Sequence, residues 1–223
     1  MKELTLIIPA KKEAESLPTF LREIENIDCH KMVVLQKEDT ETKNVLRNFH
    51  GIEIFEQINN GYGNALIEGI NNSKTKFSCI INADGSMDPK YLNSMLENCV
   101  TKDFIFASRY EKKAGSEDDT IITYVGNRIF SFIGKIFFSL PLNDILYTFV
   151  IGRTLQTKKL SLKQKDFSFC VELPIKACKS GYKLVTSKSN ERARIGGRKK
   201  VNALKDGLLI LISMFKLFFK VKK

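Results

Sequence analysis

Asn82 and Asp84 end an apolar run in the stretch IINADGSMDP, which covers residues 80–89. Because side chains alternate along a strand, both project from the same side of the chain as it leaves a strand for a loop. Two oxygen-bearing side chains at a strand end suit a hard divalent cation, which readily shares its ligands with a diphosphate. Asp-Gly-Ser is also ordinary turn chemistry, and Asp88 before Pro89 is an ordinary helix start, so a plain strand, turn and helix remains the alternative.

Two glycines lie in the stretch NNGYGNALIEGI, residues 59–70, after one predicted strand and at the start of a helix. Gly61 and Gly63 could let backbone amides approach a pyrophosphate. A dinucleotide-binding fingerprint would have its third glycine where Leu66 stands, and its glycines would follow the first strand rather than the third. The pattern therefore favours a phosphate-bordering loop over a dinucleotide site.

The segment RARIGGRKK, residues 192–200, is basic and contains glycine. Arginine makes bidentate contacts with phosphate oxygens, so this segment suits the same diphosphate from the other side. A metal and a basic loop together indicate a stabilised diphosphate leaving group. The alternative is a solvated or lipid-facing cluster of charges.

The chain has 223 residues and a formal net charge of +11 that is unevenly spread. From Lys188 to Lys223, eleven Lys or Arg stand against two acids, so this tail carries +9 and the rest is nearly neutral. The tail alternates its charges with apolar residues and lacks Tyr and Trp for base stacking, which favours a lipid surface over a nucleic acid. The length predicts one globular domain followed by the tail.

The five cysteines form no C-x-x-C pair and several lie in apolar runs. This usage predicts reduced core thiols and a reducing compartment. His30 and His50 stand apart from each other and from any cysteine pair, which argues against zinc ligation. Residues 1–9 lack the apolar segment and cleavage site of a signal peptide, so we expect them to belong to the fold.

Apolar runs alternate with helix-spaced segments along most of the chain. This alternation predicts an α/β fold with a mostly parallel central sheet, helices on both faces and ligands at the carboxyl ends of the strands. The predicted strands are 4–8, 32–35, 52–55, 77–82, 104–107, 145–151 and 182–186, and the predicted helices are 13–27, a polar one ending near 49, 63–72, 89–100 and 169–179.

Two further segments are apolar and carry basic residues. Residues 121–142 form an amphipathic helix with a narrow basic stripe, which suits a membrane interface or, equally, packing on the sheet. The apolar part of the tail, residues 207–219, would span roughly 20 Å as a helix, short of a hydrocarbon core of roughly 30 Å. Neither segment is therefore predicted to cross a membrane: residues 207–219 are expected to lie in the interface, and residues 121–142 either in the interface or on the sheet.

Five blocks of the sequence resemble, in order, motifs of family 2 glycosyltransferases with the GT-A fold. They are LIIPAKKEAESLPTFL, NNGYGNALIEGI, NADGSMDPKYL, ASRY and ERARIGGRKKVNALKDG, and they cover about residues 4–210. Within that family the chain is most similar to the dolichol-phosphate mannose synthase type, which transfers a sugar from a nucleotide donor to a polyprenyl phosphate. The resemblance implies a GT-A domain over residues 1–200, with a nucleotide-binding half to about 110 and an acceptor half over about 111–200. Residues 201–223 would then be a basic amphipathic helix at the membrane interface.

The resemblance also implies roles for individual residues. Asn82-Ala-Asp84 occupies the place of the family's D-x-D motif, so Asp84 with Asn82 would hold Mg²⁺ or Mn²⁺ on the donor diphosphate. Asp144 would be a catalytic base or an orienting group, and Arg109 would lie near the donor or acceptor phosphates. The residues implied for the nucleotide-sugar are Pro9, Ala10, Glu13, Gln36, Gly61, Gly63, Asn82, Asp84, Arg192, Arg194 and Lys199.

Three positions depart from the family pattern. Gln36 or Lys37 stands where an acid commonly contacts the nucleotide base or ribose. Asn82 replaces the first acid of the metal motif and adds no charge. Residues 146–152, LYTFVIG, replace the S-G-F-R block that follows Asp144 and bears on the acceptor.

The resemblance implies an enzyme, namely an inverting, metal-dependent glycosyltransferase. Its expected partners are a nucleotide-sugar donor, a polyprenyl phosphate or related glycan-pathway acceptor, and a membrane surface, with no nucleic acid. The protein would be peripheral or monotopic on the cytoplasmic face of that membrane. The alternative is a weakly active or non-catalytic relative that keeps the fold and binds the membrane.

Overall fold

The computed structural model describes residues 1–197 and 200–220, and it consists of alternating strands and helices. The strands are β1 (Leu4–Ala10), β2 (His30–Leu35), β3 (Ile52–Glu56), β4 (Phe77–Ile80), β5 (Phe104–Ser108), β6 (Gly115–Ser116), β7 (Val150–Arg153), β8 (Leu184–Lys188) and β9 (Asn190–Glu191). The helices are α1 (Leu17–Glu23), α2 (Thr40–Leu46), α3 (Tyr62–Asn72), α4 (Leu92–Asn98), α5 (Ile121–Phe138), α6 (Thr154–Lys159), α7 (Phe169–Lys179) and α8 (Ala203–Lys220), with a 3₁₀ turn at Pro89–Tyr91.

Within the described residues, seven strands form one sheet in the order β3-β2-β1-β4-β7-β5-β8. All neighbours pair in parallel except β7, which runs antiparallel to both β4 and β5. The predicted α/β fold with a mostly parallel sheet is therefore confirmed. A short parallel pair, β6 and β9, lies apart from this sheet.

Helices cover both faces of the sheet, and β1 shows how the sequence divides its side chains between them. Leu6 and Ile8 point to the cluster that contains the core residues of α1 and α4, while Ile7 points to the cluster that contains those of α3, α7 and α8. All three side chains are fully buried. A strand buried on both faces reads as a nearly continuous apolar run, as Leu4–Ile8 does apart from the buried Thr5.

The largest error of the sequence prediction concerns residues 145–151. They were predicted to form a strand, but β7 covers only Val150–Arg153, and the preceding residues form a loop. Ile145 and Phe149 are buried in that loop, so a continuous apolar run here signals a buried loop rather than a strand. Strand β7 lies between β4 and β5 and runs antiparallel to both of them.

Several helix and strand ends also differ from the prediction. The helix predicted over 13–27 is reduced to α1, which has Pro18 in its first turn and ends at Glu23. The helix predicted to reach Leu142 ends at Phe138, because Ser139 adopts a left-handed conformation with φ 54°. The last strand of the sheet is displaced toward the C-terminus, to β8.

Helix α8 packs on α5 and α7, and it begins at Ala203, four residues before the apolar segment 207–219 and within the tail helix predicted over 201–223. Ile210, Met214 and Leu217 are buried in the same cluster as α3 and α7, so one face of the tail is part of the core. The rings of Phe137 and Phe218 meet edge to face with centroids 5.8 Å apart. The C-terminal helix is thus attached to the domain beside α5.

Candidate active site

A cavity of about 350 Å³ lies at the carboxyl ends of parallel strands, where α/β sheets bind ligands. The predicted site residues that line it are Pro9, Ala10, Glu13, Gln36, Gly61, Asn82, Asp84, Arg109 and Arg194. Gly63, Asp144 and Arg192 do not belong to this lining, and Lys199 lies outside the described residues. On its other side the cavity reaches α5 through Thr123 and Asn127 and α8 through Ile210.

Asp84 is buried in the turn after β4, with its two carboxylate oxygens in different surroundings. Oδ1 accepts hydrogen bonds from the backbone N–H and the hydroxyl of Ser86, at 3.1 and 2.8 Å. Oδ2 lies 3.6 Å from the guanidinium of Arg194, without a hydrogen bond from the turn. The turn therefore fixes the carboxylate through one oxygen and directs the other toward a cation.

Asn82 is held two residues before Asp84. Its side-chain oxygen accepts a hydrogen bond of 3.2 Å from the hydroxyl of Tyr62, which is also 2.7 Å from the hydroxyl of Thr148. The Tyr62 ring stacks on Phe167 with centroids 4.8 Å apart. Burial raises the pKa of the Tyr62 phenol, so this hydroxyl stays neutral and keeps Asn82 in place.

The donor set of Asp84 and Asn82 fits a divalent cation that takes the rest of its ligands from substrate and water. Among residues 1–197 and 200–220, no group of three or more His, Cys, Asp or Glu could hold a metal. Mg²⁺ in phosphoryl sites is commonly held by one or two protein oxygens plus phosphate oxygens. A carboxylate beside an amide oxygen meets that requirement without a preformed cage.

Arg109 is the centre of a buried ionic cluster. Asp144 accepts hydrogen bonds of 2.8 Å from both Nε and Nη2 of Arg109, and one of 2.9 Å from its backbone N–H. Nη1 donates to Glu191 at 2.9 Å and lies 3.4 Å from Asp119. Burial alone would lower the pKa of this guanidinium, but the bonds and charges of Asp144 and Glu191 outweigh it and raise the pKa.

Asp144 is placed to orient other groups rather than to touch a ligand. Its side chain is fully buried, and it also accepts a hydrogen bond from the amide of Asn127 on α5. Arg109, predicted near phosphates, lines the cavity but is already surrounded by three carboxylates. The arrangement therefore favours the orienting alternative for Asp144.

The basic loop that begins at Arg192 runs across the turn of Asp84. The backbone N–H of Ile195 donates to the carbonyl of Asp84 at 2.8 Å, and that of Arg192 donates to the carbonyl of Ser86 at 2.9 Å. The Arg192 guanidinium bonds the Gly85 carbonyl and the Glu23 carboxylate, which places it beside the cavity.

The cations of this loop that line the cavity are paired with its acids. Arg194 donates to Asp118 at 3.1 Å, in addition to its approach to Asp84. Lys200 pairs with Glu13, and the backbone N–H of Gly197 donates to Glu15. The loop therefore holds positive charge over the cavity while each of these cations has a carboxylate partner.

The two glycines at the start of α3, Gly61 and Gly63, are required by packing. A Cβ on Gly63 would lie 2.1 Å from the carbonyl oxygen of Gln164, and one on Gly61 would lie 2.3 Å from that of Lys165. Gly61 also has φ 131°, which side chains rarely adopt. Gly61 borders the cavity as predicted, whereas Gly63 lets the 164–166 loop approach the helix.

Gln36 and Gln57 stand side by side at the carboxyl ends of β2 and β3. The parallel register pairs Leu35 with Glu56, and the N–H of Gln57 donates to the Leu35 carbonyl at 2.8 Å, so the glutamines are the next pair. Both line the cavity. Gln57 was missed because its β3 neighbours are half exposed and polar, which hides the strand end in the sequence.

Several other lining residues that the sequence did not single out come from loops or from the short strand β9. Tyr147 and Thr148 lie in the stretch taken for a strand, while Asp118, Asp119, Glu191 and Lys200 come from segments far apart in sequence. Glu191 directly precedes the basic loop 192–200, and nothing in the local sequence distinguishes it from an ordinary surface acid. Only the pairing of β6 with β9 brings Glu191 beside Ser116 and Arg109.

A model of the family described as Glycosyl transferase family 2 matches residues 5–154, or 150 of the 223 residues. An uncharacterized glycosyltransferase of Mycobacterium tuberculosis (strain ATCC 25618 / H37Rv) is 25% identical over 212 residues, which is 95% of each chain. An uncharacterized glycosyltransferase of Mycobacterium bovis gives the same values.

Solved structures share the fold at low sequence identity. The glucosyl-3-phosphoglycerate synthase of Mycobacterium tuberculosis, in complex with Mn²⁺, uridine diphosphate and phosphoglyceric acid, has a TM-score of 0.75 and 12% identity over 96% of this chain and 78% of that one. Its complex with Mg²⁺ and uridine diphosphate has a TM-score of 0.73, with the same identity and coverage.

Proposed function

The chain belongs to glycosyl transferase family 2, and on that premise we propose that it transfers a sugar from a nucleoside-diphosphate sugar to a lipid acceptor at a membrane surface. The acceptor is a polyprenyl phosphate or a related lipid of a glycan pathway. The single observation that carries this proposal is the cavity itself, which is lined by Asp84 and Asn82 and also reaches the apolar helices α5 and α8.

A divalent cation, Mg²⁺ or Mn²⁺, is part of this proposal. Asp84 and Asn82 would hold it, and the similar synthase was crystallised with either ion. When bound, the cation supplies charge that stabilises the departing diphosphate. Arg194 and Lys200 add positive charge from the loop that crosses the Asp84 turn, once they exchange their carboxylate partners for phosphate oxygens.

The membrane part of the proposal is supported by the outer faces of α5 and α8. Their exposed large apolar side chains are Ile121, Ile122, Tyr124, Val125, Ile129, Phe132, Ile136 and Phe137 on α5, and Leu204, Leu208, Leu209, Leu211, Ile212, Phe215 and Phe219 on α8. Exposed Arg128, Lys135, Lys205 and Lys216 accompany them and suit anionic headgroups. We call this two-helix surface the apolar face.

By length and composition alone, α5 is the one helix of the described residues that could cross a membrane. Asn127 and Ser131 of α5 are buried, and Asn127 bonds Asp144 of the ionic cluster, so the helix is built into the domain. We therefore propose that α5 and α8 lie in the interface on the cytoplasmic face, with the protein peripheral or monotopic.

The test is transfer of label from a panel of radiolabelled nucleotide sugars into organic-extractable lipid, with Mg²⁺ or Mn²⁺ and vesicles that contain polyprenyl phosphate or membrane glycolipids. Asp84→Ala should lower transfer by about 100-fold or more, because it removes the carboxylate that holds the cation. Asp28→Asn, an exposed acid remote from the cavity lining, is the control and should retain full activity.

Two results would contradict the proposal. Full activity of Asp84→Ala would remove Asp84 from the donor site. Absence of transfer from every donor, with normal folding and vesicle binding, would favour the non-catalytic alternative, in which the fold serves membrane binding.

A further inference from the structure

The side of the cavity that adjoins α5 is lined by carboxylates. Asp118 and Asp119 lie in the turn before α5, and Glu191 lies on β9. The cations in this part of the lining, Arg109 and Arg194, already pair with these acids or with Asp144 and Asp84. Among the described residues, the three carboxylates of Asp119, Asp144 and Glu191 surround the single guanidinium of Arg109, so this cluster carries a surplus of negative charge.

This surplus of negative charge bears on whether the acceptor reacts through a phosphate or through a hydroxyl. A polyprenyl phosphate would bring a further anion beside several carboxylates in a partly buried site, where like charges repel strongly. A hydroxyl brings no charge, but it is a weak nucleophile and needs a base to take its proton. The lining therefore suits an acceptor that reacts through a hydroxyl, provided that one carboxylate can serve as the base.

Glu191 has the geometry of that base. Its Oε2 is anchored by Arg109 at 2.9 Å and by the hydroxyl of Ser116. Its Oε1 accepts no hydrogen bond from the residues that the structure describes, 1–197 and 200–220. A carboxylate held through one oxygen keeps a fixed orientation while the other oxygen remains available for a proton.

The neighbouring acids are less suited. Asp119 accepts hydrogen bonds at both oxygens, from the Thr123 hydroxyl and from the Tyr110 hydroxyl, each at 3.0 Å. Asp118 is held by Arg194, and Asp144 is buried beneath Arg109 without reaching the cavity.

The surroundings of Glu191 also favour proton uptake. Burial raises the pKa of its carboxyl, and the charge of Arg109 and the Ser116 hydrogen bond offset this only in part. The ionisable groups that face it are Arg109, Asp119, Asp144 and Tyr147, whose ring lies 4.6 Å from the Arg109 guanidinium.

We propose that the acceptor reacts through a neutral hydroxyl and that Glu191 is the catalytic base, an inference that rests on the proposed sugar transfer. The acceptor O–H gives its proton to Oε1 of Glu191, and the acceptor oxygen forms a bond to the anomeric carbon. The bond from that carbon to the diphosphate oxygen breaks, and its electron pair leaves with the nucleoside diphosphate. Glu191 then returns its proton to water.

Water is the simplest hydroxyl and requires the same base, so slow donor hydrolysis tests Glu191 before the lipid is identified. We would measure hydrolysis of the nucleotide sugar by the purified full chain, and transfer to n-octyl glucoside and to undecaprenyl phosphate in vesicles. Glu191→Gln should lower hydrolysis and transfer to the glucoside by about 10²–10⁴-fold. Nucleoside-diphosphate affinity with Mn²⁺ should change less than about threefold, because Glu191 acts on the acceptor.

Glu111→Gln is the matched control, since Glu111 is a partly buried carboxylate that accepts one hydrogen bond, from Asn143, and lies outside the cavity lining. It should retain hydrolysis within about twofold. Thermal unfolding of each variant separates lost chemistry from lost folding, and Ser116→Ala, which removes one anchor of Oε2, should give a smaller loss than Glu191→Gln.

The failures of the two proposals are distinguishable. If undecaprenyl phosphate accepts sugar and Glu191→Gln transfers it at the wild-type rate, the hydroxyl inference is overturned and sugar transfer stands. If folded Glu191→Gln hydrolyses the donor as fast as wild type, Glu191 is not the base. If the wild-type chain neither binds a nucleoside diphosphate nor consumes any donor, the proposed function itself fails and the inference fails with it.

Discussion

Replacing Asp144 by asparagine should destabilise this protein far more than a typical charge substitution. The Asp144 side chain is fully buried and accepts three hydrogen bonds from Arg109 alone, at 2.8, 2.8 and 2.9 Å. Removing one partner of a buried pair typically costs about 3–5 kcal/mol, because the other charge stays buried without compensation. Glu191 and Asp119 still face Nη1 of Arg109, so we expect the lower end, about 3 kcal/mol.

This loss converts into a measurable shift of the melting temperature. With an unfolding entropy of about 2.1 cal/mol/K per residue over 223 residues, 3 kcal/mol corresponds to roughly 6 °C. Thermal unfolding followed by circular dichroism would measure it, and urea unfolding would check the free energy. Asp28→Asn removes a carboxylate that lies 4.0 Å from Lys2 on the surface and should leave the melting temperature unchanged.

A shift below about 2 °C for Asp144→Asn would refute this reasoning. Such a result would mean that Asp119 and Glu191 compensate the charge of Arg109 without Asp144. The buried Asp144–Arg109 pair would then contribute little to the stability of the fold. The orienting role of Asp144 would lose its basis.

Three further predictions concern chemistry, packing and membrane binding. Donor hydrolysis should fall as the pH drops through the pKa of Glu191, because the protonated carboxyl cannot act as a base. Burial raises this pKa, so the rate should begin to fall at a higher pH than an ordinary glutamate would give, and the residual rate of Glu191→Gln should not show this fall. Gly63→Ala should cost about 3 kcal/mol in denaturant unfolding, at the upper end for overpacking, because its Cβ would lie 2.1 Å from a backbone carbonyl oxygen. Gly126→Ala, in open space on α5, should instead stabilise the protein by about 0.5–1 kcal/mol. Phe132→Asp on the apolar face should lower co-flotation with anionic vesicles at least about tenfold, whereas Leu155→Asp, similarly exposed but on α6, should not. Equal losses for the two variants would argue against the apolar face as the membrane-binding surface.

The local patterns of the sequence were sufficient for the fold class. Alternating apolar runs and helix-spaced segments predicted strands and helices up to β5, since most of those strands contain a short apolar run bounded by turn residues. The sheet order and the antiparallel direction of β7 were beyond such patterns, because the apolar stretch Ile145–Phe149 has the same composition whether it forms a strand or a buried loop.

The candidate site divides in the same way. Asn82, Asp84, Gly61 and the basic loop could be found because neighbours in the chain share one strand end or one turn. The role of Glu191 could not be predicted from the sequence, because it depends on pairing with Arg109, 82 positions earlier. That pairing holds Oε2 and leaves Oε1 available.

The sequence by itself thus determined the α/β class, the Asn82 and Asp84 pair in the turn after β4 and the apolar, basic character of the tail, all of which follow from side chains a few positions apart. Only the tertiary structure decided that Asp144 lies buried beneath Arg109, that Glu191 faces the cavity and that α5 and α8 form one apolar face. The physical reason is that burial and charge pairing depend on distances through space, and chain neighbours set those distances only within a single strand, turn or helix.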